Sequence, residues 1–230
     1  MAFERYAIYW APGPWTELAA FARVWLGGDP ETGTRHQERD CLGLPADLVE
    51  RATRSPRRYG LHATLKAPFR LAGGVMETEL SSALASFCER RRRIFGGPLR
   101  LHRFTRYLAL VPTAPRADVE WLADECVTRF DRFRAPLTDA ERARRSRERS
   151  TLERAYLEEF GYSDIFSRFF FHITLAGPLD PDELGRVEAA LLPAVATFME
   201  KDFAVEDVCL FGDPGGGALF KILGRWMLTR

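Results

Sequence analysis

Two stretches, residues 58–71 (RYGLHATLKAPFRL) and residues 168–179 (RFFFHITLAGPL), repeat one signature, and their reading decides the fold. In each, an arginine and an aromatic residue stand four and three positions before a histidine, which opens His-x-Thr-Leu. Apolar and polar residues alternate through both, the period of a half-buried strand, and Pro68 and Pro178 punctuate their ends. The likeness extends outward. A helical pattern follows each strand, over 77–93 and 181–199, and contains Phe87-Cys88 and Phe198-Met199 near its end. Phe87 lies 25 positions after His62, and Phe198 lies 26 after His172. Two strands then follow each helix, within 99–112 in the first copy and over 203–211 and 218–229 in the second.

Self-similarity of this kind marks an internal duplication. It predicts an α+β fold with two antiparallel-sheet lobes facing a central cleft and helices outside. The lobes span approximately 5–112 and 165–230, with terminal strands free to cross between them. A helical connection over approximately 116–160 joins them. Before the first copy, RYAIYWA (5–11) reads as a strand stopped by Pro12-Gly13-Pro14, and 15–26 as a helix stopped at Gly27-Gly28. A short helix is expected near 45–53. Thr138 and Glu141 form a capping box that opens a charged helix running to about residue 159. Its arginines offer two readings, an anion-binding arm or a solvated helix laced with i,i+4 ion pairs, and the interleaved acids favour the second.

Strand alternation sets the chemistry. His62, Thr64 and Lys66 share one face, opposite Ala63, Leu65 and Ala67, and His172 shares a face with Thr174. Each lobe thus presents an imidazole and a hydroxyl together. Cleaving a phosphodiester takes one proton from the attacking oxygen and gives one to the leaving oxygen. An imidazole titrates near pH 6.5, so one neutral and one protonated ring coexist near neutrality. Thr64, Thr174 and Lys66 are the candidates for holding the non-bridging oxygens. Arg58 and Arg168 form an equally spaced pair of substrate-binding candidates, and Tyr6 and Tyr107 are candidates for stacking on a base or ribose. His36 and His102 lack the motif. The four histidines have no cysteine or carboxylate at ligand spacing, so neither a metal nor another cofactor is expected.

Composition limits the partners. Apolar residues make up 46% and charged residues 28%, ordinary for a globular chain. The net charge of +1 lacks the basic excess of proteins that grip long nucleic acid; a small phosphorylated substrate suits it better. MAFERYAIYW does not read as a signal peptide, and no apolar run is long enough for a membrane span. Four scattered cysteines, Cys41, Cys88, Cys126 and Cys209, read as reduced thiols. The expected setting is the cytoplasm, with oligomeric state left open.

Two His-x-Thr-Leu motifs on strands about a hundred residues apart resemble the two-histidine phosphoesterase superfamily. That group includes RNA 2′,3′-cyclic phosphodiesterase and 2′-5′ RNA ligase-like proteins. The longer strings RYAIYWAP, RRYGLHATLKAPFRL, FDRFRAPLTDAERARR and FHITLAGPL resemble its branch encoded beside carbon–phosphorus lyase genes and named for phosphonate metabolism. The resemblance covers nearly the whole chain. It implies a bilobal fold and a cyclic phosphodiesterase-type site carried by His62, Thr64, His172 and Thr174. The function expected is metal-independent hydrolysis of a small cyclic phosphodiester, such as a ribose cyclic phosphate in phosphonate metabolism. The alternatives are processing of RNA ends bearing 2′,3′-cyclic phosphate, or a non-enzymatic nucleotide- or RNA-binding module.

Overall fold

The computed structural model describes residues 3–36, 38–146 and 149–230. Strand β1 (Arg5–Trp10) leads into helix α1 (Glu17–Leu26), which starts at the Thr16 cap and ends on left-handed Gly27. A two-residue ribbon, β2 (Gly28–Asp29) with β3 (Thr34–Arg35), precedes α2 (Ala46–Arg57). The first motif forms β4 (Ala63–Phe69), followed by α3 (Glu77–Cys88), β5 (Ile94–Arg103) and β6 (Leu108–Pro112). The connection holds α4 (Ala117–Phe130), α5 (Asp139–Arg145) and α6 (Thr151–Phe160). The second motif forms β7 (Ile173–Ala176), then α7 (Pro181–Met199), β8 (Asp202–Val205), β9 (Asp207–Asp213) and β10 (Lys221–Met227).

Two four-stranded antiparallel sheets result, ordered β10-β9-β1-β4 and β7-β6-β5-β8. Both motif strands are sheet edges, and each sheet draws strands from both repeats. The expected strand 203–211 is two strands, because the chain leaves one sheet for the other at Glu206. Helix α3 ends five residues before its expected end. Arg91 and Arg93 pair instead through their backbones with Thr229, and the Arg91 guanidinium lies over the Phe87 ring. The charged helix expected over 138–159 is also divided. Ser150 and Glu153 form a second capping box that starts α6, while Arg147 and Glu148 of the expected helix lie outside the described residues.

The sheet holding β1 is buried on both faces, which explains why Tyr6 through Ala11 are all buried. Tyr6, Ile8 and Trp10 join the main core, whereas Ala7, Tyr9 and Ala11 join a smaller cluster with Cys209, Phe211 and Phe220. Period-two alternation thus sorts β1 into a core face and a second, aromatic face, and the candidate site lies on the second. No helix among the described residues is long and apolar enough to cross a membrane.

Candidate active site

Each motif histidine sits one residue before its strand, and the burial that follows is the same in both copies. Ala63-Thr64-Leu65-Lys66 and Ile173-Thr174-Leu175-Ala176 alternate buried, half-buried, buried, buried. His62 Nδ1 lies 2.9 Å from the carbonyl of Gly60, and His172 Nδ1 lies 2.8 Å from the carbonyl of Phe170. A carbonyl only accepts, so each Nδ1 carries the hydrogen and each Nε2 is left free for substrate. The repeat therefore extends to how each ring is held. On the first side the lock needs Gly60, whose φ of +72° is left-handed; an added Cβ would sit 2.8 Å from Pro30.

Thr64 stands opposite Tyr9 across the β1–β4 pair, and the Tyr9 ring packs 4.2 Å from that of His62. Tyr59 and Phe211 complete an aromatic surround, with ring centroids 5.5 and 6.5 Å from His62. One cleft of about 350 Å³ is lined by His62, Thr64 and Thr174 together with Arg5, Arg145 and Arg149. Its volume lies at the lower end of small-molecule sites, ~300–1,000 Å³. No acidic residue lines it among the described residues. His172 shares the Thr174 face of β7, beside Tyr107 and Phe104, but is not in the lining of this cleft.

These residues lie largely within one family match: residues 64–221 match the family described as "Protein of unknown function (DUF1045)". The chain belongs to the DUF1045 family. The DUF1045 chain is 35% identical over 207 residues to a protein of Janthinobacterium sp. (strain Marseille) named ribose 1,5-bisphosphate phosphokinase PhnN, covering 88% of this chain and 44% of that protein. A protein of the same name from Laribacter hongkongensis (strain HLHK9) is 30% identical, covering 97% of this chain and 52% of its own length. The DUF1045 chain thus spans about half the length of these curated relatives. Among solved structures, it is similar to one described as a phosphoesterase (15% identical, TM-score 0.48, 99% of both chains). It is also similar to E. coli LigT complexed with NADP+ (14% identical, TM-score 0.45, 100% of both chains).

Several expected site residues lie elsewhere in the DUF1045 chain. Lys66 does not share the His62 face. The β1–β4 register shifts between Ile8 and Tyr9, and this irregularity turns Lys66 to the core side opposite Ile8. There it is 3% exposed, donating to the Val127 carbonyl at 3.0 Å and to Asp131 at 3.1 Å. Tyr6 is likewise on the core face, with its hydroxyl donating to Glu77 at 3.0 Å. Arg58 stands behind the cleft lining, 3.2 Å from the buried Asp213. Arg168 is in a 3-10 turn before β7, 3.6 Å from Glu153, and is not in the lining. Tyr107 stays beside His172, ring centroids 6.2 Å apart, stacked on Phe104. Arg5, Tyr9, Tyr59, Arg145, Arg149 and Tyr162 line the cleft without having been singled out as site residues. The solvated-face reading of the charged segment fails for Arg145, whereas Arg149 keeps an i,i+4 pair with Glu153 and also lines the cleft.

Burial pulls the His62 imidazole down to about 4, opposed by its bond to the Gly60 carbonyl and assisted by the charge of His172. At neutral pH this ring is uncharged and available as a base. The same shift fixes a stability prediction. Between about pH 6.5 and about pH 4 the unfolded chain binds a proton that folded His62 refuses. Stability therefore falls as pH drops through this window, by at most about 3 kcal/mol from this group. His62→Asn is expected to flatten that part of the urea-denaturation profile; parallel wild-type and variant curves would contradict the assignment.

Proposed function

We propose that this chain is a two-histidine phosphoesterase that hydrolyses a small cyclic phosphodiester, with a ribose cyclic phosphate as the best-supported substrate. The observation that carries this reading is the matched pair of histidines, each locked through Nδ1 by the carbonyl two residues earlier and each followed by a threonine that lines one cleft. Burial keeps His62 neutral, so its Nε2 takes a proton from water as the water oxygen attacks phosphorus. The bond from phosphorus to one ester oxygen breaks, and His172 supplies the proton that oxygen needs. The products are a phosphate monoester and a free hydroxyl. Thr64 and Thr174 donate to the non-bridging oxygens as negative charge grows there. Among the described residues the lining carries no acid, which suits an anionic substrate.

The relatives' shared name supports a ribose phosphate, since opening a ribose cyclic phosphate leaves a ribose carrying a phosphate monoester. The phosphokinase part of that name finds no support in this chain's residues. The three lysines here follow Leu65, Glu200 and Phe220, so the chain has no Gly-Lys of a phosphate-binding P-loop. One observation favours the alternative of RNA ends. An open groove of about 1320 Å³ between α3, β5 and α4 presents Arg90, Arg92 and Arg93 beside exposed Trp121 and Phe95, and it shares no lining residue with the His62 cleft. Arginine beside exposed aromatics is a single-strand binding chemistry. A screen in excess EDTA over ribose, nucleoside and oligoribonucleotide cyclic phosphates separates these readings. Turnover of a ribose cyclic phosphate, unaffected by the chelator, is expected. A strong preference for the oligonucleotide would favour the RNA reading, and restoration only by a divalent cation would contradict the mechanism.

A further inference from the structure

Resting on the diesterase reading, we propose that the cleft contains a second anion subsite built by Arg145 and Arg149 with Arg5, and that the substrate is a cyclic phosphodiester carrying a separate phosphate monoester. The α5–α6 segment has no counterpart in either repeat, yet it brings two arginines into the cleft that holds His62 and Thr174. Two of the acids interleaved with them are engaged on other partners. Glu141 is held by Arg70 at 3.1 Å and by the Thr138 cap, and Glu158 pairs with Arg142. Arg145 is left with one hydrogen-bond partner among the described residues, the neutral Gly161 carbonyl at 2.6 Å. Burial lowers its proton affinity, the Glu141 charge opposes this, and the charges of Arg144 and Arg5 act in the same direction as burial. Arg149 faces Glu153 at 3.5 Å and Asp164 at 3.4 Å, looser than the ~2.7–2.9 Å of a tight charge-assisted bond. Arg5 shares a single carboxylate, Asp213, with Arg58.

Charge decides the ligand class. A cyclic diester carries a single negative charge, and the two threonines with the His172 ring already serve it. Arg145, paired with no carboxylate among the described residues, and the one positive charge that Arg5 and Arg58 keep beyond Asp213 exceed that need. A phosphate monoester carries about −1.5 to −2 near neutral pH and offers three acceptor oxygens to planar guanidinium forks. The subsite leaves the reacting diester where the histidines hold it and fixes the far end of the sugar. It is therefore a positioning and specificity device.

The test compares matched pairs: ribose 1,2-cyclic phosphate with and without a 5-phosphate, and adenosine 2′,3′-cyclic phosphate with and without a 5′-phosphate. Wild-type kcat/KM should be higher for the phosphorylated member of at least one pair, by roughly 10- to 100-fold for each arginine engaged. Arg145→Gln and Arg149→Gln should each shrink that preference, and the double substitution should bring the ratio near one. Arg145→Lys should recover only part, because an ammonium cannot reproduce the fork. If a variant does not fold, the wild-type ratios still decide. Turnover of both members at equal kcat/KM overturns the subsite and spares the diesterase reading. A preference that persists in the folded double variant also overturns it. No turnover of any of the four compounds counts against the diesterase reading itself.

Discussion

His62→Ala and His172→Ala are each expected to lower kcat on the best cyclic phosphate by roughly 10²–10⁴, the usual contribution of a positioned proton-transfer group. Both act on protons that move only in the transition state, so affinity for substrate should change far less than turnover. The double variant should be little worse than either single one, because acid and base work as a unit. The two losses should differ in their pH profiles. With His62 absent the limb of the rate profile set by the base disappears, whereas His172→Ala removes the limb set by the acid. Circular dichroism and substrate binding keep a folding failure apart from a catalytic one. Wild-type turnover in both single variants would remove the histidines from the chemistry.

The second large effect is on stability. Asp213 is 0% exposed and accepts from Arg5 Nε at 3.0 Å, from Arg58 at 3.2 Å and from the Gly215 amide at 3.0 Å. It joins β1, β9 and the end of α2 behind the cleft. Breaking a buried pair from one side costs about 3–5 kcal/mol when the charge left behind is itself buried. Arg5 and Arg58 keep side-chain exposures of 23% and 32%, so the lower end applies, and Asp213→Ala should cost about 3 kcal/mol. In a chain of this length that is a fall in Tm of roughly 6–12 °C. Urea unfolding should show a lower midpoint with unchanged slope. A shift below about 0.5 kcal/mol would mean that water replaces the carboxylate without penalty.

The parts of the site legible in the sequence are the parts with local causes. His62 and Thr64, and His172 and Thr174, are two apart on strands, and period two holds over that distance. Lys66 is only two residues further on, but its face is set by the register with Ile8 and Tyr9 of β1, a pairing across more than fifty residues. The alternation of RYAIYW places Tyr6 and Tyr9 on opposite faces. It does not reveal which face meets the cleft, and that is Tyr9. The break at Glu206 is equally long-range, since β8 pairs with β5 and β9 with β1. Arg145 and Arg149 were hidden by the acids around them, whose partners emerge only once α5 and α6 fold back on each other. The second capping box, Ser150 with Glu153, was a local signal for that fold-back.

The most direct test of the central claim is hydrolysis of ribose cyclic phosphates in ¹⁸O-water with excess EDTA, followed by ³¹P NMR of the product. The account predicts a ring-opened monoester with one ¹⁸O on phosphorus, formed at the same rate with and without chelator and lost in His62→Ala. Unchanged cyclic phosphate under all conditions, or opening that proceeds equally well in His62→Ala, would contradict it.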